Sequence, residues 1–156
     1  MADQATERVV ALDRVYVKDM SFESPRTPEV FASNPDGEIE LDLQSAARGL
    51  DAERAEVTLT VRVKCLAGPD TVFQVELAQA GIFTIRGYTQ DERISLLATE
   101  CPLMLHSYAR VAVADAVSKG GFAELLLQPI DFHAAYARKT QTASPLSGPP
   151  RPAPGN

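Results

Sequence analysis

The chain contains no tryptophan, and only two cysteines and two histidines among its 156 residues. Each scarcity removes a class of chemistry. Cys65 and Cys101 stand apart, without a Cys-x-x-Cys pair or a nearby histidine pair, so neither a disulfide framework nor a zinc site has enough ligands. They read as buried, reduced thiols. His106 and His133 cannot build a metal centre alone, and Ser107, His106 and Asp115 lack partners for nucleophilic or acid–base work. No enzymatic activity, metal or cofactor is expected. No apolar run approaches a membrane span of about 18 residues, and the start MADQATERVV lacks the basic and apolar stretches of a signal peptide. A soluble, cytoplasmic protein without membrane insertion is the expectation.

Acids are missing from the end of the chain. From Phe132 onward there are three cations (Arg138, Lys139 and Arg151) and no carboxylate, so the net charge of −6 leaves −9 on the preceding residues. A body this acidic repels phosphate backbones and anionic lipid heads, which argues against nucleic acid as a partner. It suits a basic partner or a positively charged unfolded segment, and it equally serves solubility.

What is present reads as one domain over 9–142, between a flexible N-terminus over 1–8 and a disordered, Pro-rich tail over 143–156 (SPLSGPPRPAPGN from Ser144). Val9 to Glu23 reads as a strand, with Tyr16, Met20 and Phe22 on one face and Val15, Val17, Asp19, Ser21 and Glu23 on the other. A long connection, SPRTPEVFASNPDG, follows, with Val30 and Phe31 in its middle. Glu38 to Leu43 alternates, with Ile39, Leu41 and Leu43 inward, and the polar SAARGLDAER reads as a connection. Val57 to Cys65 alternates most clearly. A short turn at Ala67 to Asp70 leads into Thr71 to Gln79, and Gly81 allows a bulge or bend before Ile82 to Ile85. The expected fold is α+β: a four-stranded antiparallel sheet, wet on one side, with a long kinked helix and a short C-terminal helix on one face.

Thr89 and Glu92 match a capping box that starts a helix. Ile94, Leu97, Cys101, Leu105, Tyr108 and Ala112 follow at helical spacing, and Pro102 predicts a kink or break near Glu100. Gly120-Gly121 supplies a left-handed cap. Asp131 caps a short last helix that carries Phe132 and Tyr136 on one face. The long helix is alanine-rich at Ala109, Ala112, Ala114 and Ala116, so a second copy of the chain is its expected packing partner.

Two surfaces stand out. Asp19, Glu23, Glu38, Glu40, Asp42 and Glu76 would share the wet sheet face, either as a docking surface or as an ordinary solvated face. Val30, Phe31, Phe132 and Tyr136 would form an aromatic groove if loop and helix meet over the sheet edge, or serve as core.

Several separated segments together resemble SecB, the family of bacterial export chaperones: RVYVKDMSFESPRTPEVF (14–31), LDL (41–43), GIFTIRG (81–87), ECP (100–102), YAR (108–110) and VSKGGFAELLLQPIDFHAAY (117–136). The resemblance implies a dimer of dimers with the long helices packed between dimers. It also implies a function: holding unfolded secretory precursors in the cytoplasm and passing them to the SecA ATPase. By the same resemblance, the client groove falls on Val30, Phe31, Leu41, Leu43, Phe132 and Tyr136. SecA docking falls on Asp19, Glu23 and Glu76. Assembly falls on Phe73, Val75, Leu77 and Gln79, together with Cys101, Leu105, Tyr108 and Ala112 of the helix. A relative dedicated to one client, such as the antitoxin of a toxin–antitoxin pair, would share this fold and groove. The family's loop tryptophan is missing near Pro35, and His106-Ser107 stands where an apolar residue and proline often precede Tyr-Ala-Arg.

Overall fold

A computed structural model describes residues 7–143. The expectations for residues 1–6 and for the tail beyond 143 therefore lie outside the described residues. The strands are β1 (Val9–Glu23), β2 (Glu38–Gly49), β3 (Arg54–Ala67) and β4 (Asp70–Arg86), and the helices are α1 (Glu29–Ser33), α2 (Gln90–Ala98), α3 (Glu100–Lys119) and α4 (Phe132–Ala143). The sheet order is β1-β4-β3-β2, and every neighbouring pair is antiparallel. The chain therefore passes from one sheet edge to the other between β1 and β2, through the proline-rich connection that contains α1. Ser24 Oγ donates to the Val72 carbonyl at 3.0 Å, and Arg26 pairs with Asp70 at 2.7 Å, pinning this crossover to the β3–β4 hairpin.

Alternation puts Val57, Leu59, Val61 and Val63 of β3, with Phe73, Val75, Leu77 and Phe83 of β4, on one buried face. On that face lies α3, through Cys101, Leu105, Ala109, Val113, Ala116 and Val117. Its place on one face of the sheet is the expected one. In the fold it covers the protomer's own sheet, and Ala109 and Ala116 are among the small residues that let it approach. Gly81 marks how close that approach is. A Cβ there would meet Leu12 Cδ1 at 2.8 Å and Leu105 Cδ2 at 2.9 Å. Gly81 therefore serves close packing, and β4 runs through it without a break.

The register shifts lie elsewhere. In β1, Asp13 and Lys18 are each extra relative to β4. Because side chains alternate with a period of two, each extra residue exchanges the faces. Val10, Leu12, Val15, Val17, Met20 and Phe22 consequently share the helix face, while Tyr16 joins Asp19, Ser21 and Glu23 on the other. The expected grouping of Tyr16 with Met20 and Phe22 is thus corrected. So is the end of β2: Ser45 to Gly49 pair with Leu59 to Ala55, and only residues 50–53 form the turn, where Asp51 accepts hydrogen bonds from the Glu53 and Arg54 amides.

The capping box forms, with Thr89 and Glu92 each accepting from the other's backbone N–H. The long helix breaks at Thr99, whose ψ of −74 and φ of −123 leave the helical region. Pro102 has no N–H for the Ala98 carbonyl and its ring would collide with it, so a straight, unbroken helix is disfavoured there. As the third residue of α3, it loses nothing. At the far end Gly121 N–H donates to Ser118 O and Phe122 N–H to Val117 O, a Schellman closure with Gly121 at φ 87.

Candidate functional site

β2 is an edge strand, and its helix-side row is only partly covered. Ile39 and Leu41 are 45% and 41% exposed, while Leu43 packs against the core. Beyond Leu43 the row enters a groove of about 550 Å³ lined by Leu43, Ser45, Leu59, Ala98, Ile130, Phe132 and Tyr136. The N-terminus of α4 positions the last two: Asp131 accepts from the Ala134 amide at 2.9 Å, and Phe132 is 8% exposed, its ring 6.1 Å from His106 in an edge-on contact. His133 Nε2 lies 2.8 Å from Glu100 Oε1, a second tie between α4 and α3.

The loop aromatic lies elsewhere. Phe31 sits on α1, 5.3 Å from Phe122, and Phe22, Phe73 and Phe122 complete a cluster with ring separations of 5.0 to 6.4 Å. Phe73 is level with Cys65 and Ile39, whereas the α4 groove is level with Leu43 and Leu59. Four residues of strand separate Ile39 from Leu43, about 13 Å. Phe31 and the pair Phe132–Tyr136 therefore stand at opposite ends of one apolar tract along β2 and do not form a single aromatic groove. Val30 is 5% exposed and belongs to the core, while Phe31 remains 48% exposed.

Phe73, Val75, Leu77 and Gln79 are all buried beneath α3, as are Cys101 and Leu105 on the helix itself. Ala112 is half-buried and Tyr108 exposed. The outward face of α3 carries Leu103, Tyr108 and Val111, all exposed, beside a groove of about 730 Å³ shared with Glu124, Leu126, Pro129 and Ile130. Cys101 is sealed in the core, where burial foremost, and then the charge of Glu100, push its thiol up to about 12.

On the opposite sheet face Asp19, Glu23 and Glu76 come together. Asp19 faces Ala78, Glu23 faces Gln74, and Glu76 faces Ser21, three successive rows of the β1–β4 pair. Arg62 lies between Glu76 at 2.9 Å and Asp42 at 3.8 Å, and Gln74 donates to Glu23 at 3.2 Å. Asp19 has no ion pair among the described residues and so presents its charge outward.

The sequence model of the family described as preprotein translocase subunit SecB matches residues 3–143. The chain belongs to the SecB family. Relatives named protein-export protein SecB include that of Methylococcus capsulatus, 41% identical over 150 residues covering 96% of this chain and 97% of that one. Another is that of Alcanivorax borkumensis, 42% identical over 142 residues covering 89% and 90%. Among solved structures, the SecB-like chaperone of Mycobacterium tuberculosis, in complex with a ChAD peptide from the HigA1 antitoxin, shares the fold. It has a TM-score of 0.65 at 16% identity and covers 78% of this chain and 90% of that one.

One polar centre of this SecB-family chain escaped the sequence. Glu56, on the outer face, is nearly buried, hydrogen-bonded by Tyr16, paired with Lys18 at 3.0 Å and approached by Arg48 at 3.7 Å. Its carboxyl is held below the usual range, first by the Tyr16 hydrogen bond and then by that of Lys18. The signal was hidden in β1, whose bulges turn Tyr16 and Lys18 toward it. No helix among the described residues is long and apolar enough to cross a membrane.

Proposed function

We propose that this SecB-family protein is a cytoplasmic holding chaperone. It keeps unfolded precursor proteins export-competent and delivers them to the SecA ATPase for the Sec pathway, and it works as a homotetramer, a dimer of dimers. The observation that carries the reading is the partly uncovered apolar tract along β2, which runs from Phe31 past Ile39 and Leu41 to the groove at Leu43, Phe132 and Tyr136. Unfolded chains expose apolar side chains, and each Å² of apolar area buried on this tract is worth about 25 cal/mol. The free edge of β2 adds backbone hydrogen bonds to an extended segment. One tract binds weakly, whereas four in a tetramer raise the effective concentration of the client. The exposed Leu103, Tyr108 and Val111 of α3 supply the face between dimers. The role of Phe73, Val75, Leu77 and Gln79 in assembly is then indirect: they hold the sheet against α3. Asp19, Glu23 and Glu76 supply the docking face for SecA.

The test uses Leu41, which is exposed, and Tyr136, which is half-buried at the rim of the groove, because a charge at Val30 or Phe132 would break the core. Leu41→Asp and Tyr136→Asp should lose most suppression of aggregation of a denatured precursor, measured by light scattering, while melting temperature and native mass stay unchanged. Wild-type suppression by both variants would place the client surface elsewhere.

A further inference from the structure

His106 is 6% exposed, and its Nε2 is buried without a hydrogen-bond partner among the described residues. Its ring meets the edge of Phe132 at 6.1 Å, and Phe132 anchors the first turn of α4. The imidazole therefore stands in a wall with Phe132 and Ile130. One side of that wall faces the groove on α3 and the other faces the groove between β2 and α4. A neutral ring suits this place, but a charged one has no acceptor for its second proton. On α3 itself the nearest charge is Arg110, one turn away, which opposes protonation. Glu100 is engaged by His133, and Asp115 by Lys119 at 2.8 Å. The segment between α3 and α4 brings Glu124 to the same α3 groove and Asp131 to the α4 cap. The sheet presents apolar side chains, Cys65 and Gln79 to the helix.

We propose that His106 is a pH-responsive latch: neutral, it holds α4 against α3, and protonation of its ring loosens α4 and weakens client binding. The second half rests on the client-groove reading above. Burial, and secondarily Arg110, hold the ring's proton affinity below that of an ordinary histidine. The docked state thus disfavours the proton. Docking is at full strength above histidine's ordinary value, near 6.5, and is lost as pH falls through that value toward the depressed one.

Hydrogen exchange of the full chain, corrected for the intrinsic pH dependence of exchange, reads α4 directly. Between about pH 7.5 and about pH 5.5, which bracket the ordinary histidine value, protection over residues 134–140 should fall several-fold in the wild type. It should not fall in His106→Leu or in His106→Gln, the second variant guarding against a packing defect in the first. Affinity for an unfolded peptide, measured on the same samples by fluorescence anisotropy, should follow α4 protection in the wild type. Flat protection in the wild type, or an equal fall in both His106 variants, would overturn the latch. A fall in protection with unchanged peptide affinity would uphold the latch and overturn the groove reading.

Discussion

Glu56 draws three strands onto one carboxylate, with Tyr16 and Lys18 from β1 and Arg48 from β2 meeting it on β3. Because its folded-state proton affinity is lowered, the stability it contributes is present above the ordinary carboxylate value and is lost as pH falls through the depressed one. Glu56→Gln removes the charge from a nearly buried site and should cost about 1–3 kcal/mol in urea unfolding at neutral pH. That deficit should shrink as the pH is lowered toward the acid limb, and a deficit independent of pH would show that the charge is not what stabilises. Only half of this centre was legible. The alternation of Val57 to Cys65, carried back one residue, puts Glu56 outward, but its burial depends on Tyr16, which an uninterrupted period of two assigns to the wrong face.

Whole elements follow the same division. Val57 to Cys65 could be read directly because a central strand with one buried face must alternate, and the capping box at Thr89 and Glu92 because it is a local contact. The second half of β2 could not, because an edge strand exposed on both faces has no need of an apolar row at Ser45 to Gly49. The break before α3 was legible from Pro102 to within a residue or so. The closure at Gly120-Gly121 was legible too, since Gly121 at φ 87 takes a conformation other residues resist. Gly121→Ala should lower stability by about 1 kcal/mol or more, seen as a lower melting temperature together with faster hydrogen exchange over residues 122–131. The added methyl would also sit 3.1 Å from the Phe31 ring, so exchange at α1 should rise in step. Unchanged exchange at both places would mean that the closure does not organise the segment leading to α4.

Across the molecule, the helices cover the middle of the inner sheet face and leave both edges partly bare. Val17 and Met20 on β1 are exposed at one edge, Ile39 and Leu41 on β2 at the other. The acids lie on the opposite face, so the proposed capture and docking surfaces are separated by the thickness of the sheet. Asp19→Lys should therefore weaken SecA binding, with the remaining affinity less sensitive to salt, while leaving suppression of aggregation intact. Equal loss of both activities in an intact assembly would contradict that separation. The composition told of the acidic excess and the motifs told of the family, but the distance between Phe31 and Tyr136 arises only when β2 is laid along the sheet edge. The central claim, a tetramer that holds unfolded chains, is tested most directly by native mass measurement of the purified protein with one precursor, first denatured and then folded. The expected result is a species of four chains that gains the mass of the denatured precursor and ignores the folded one. A protein that is not a tetramer, or a tetramer that leaves the denatured precursor unbound, would contradict it.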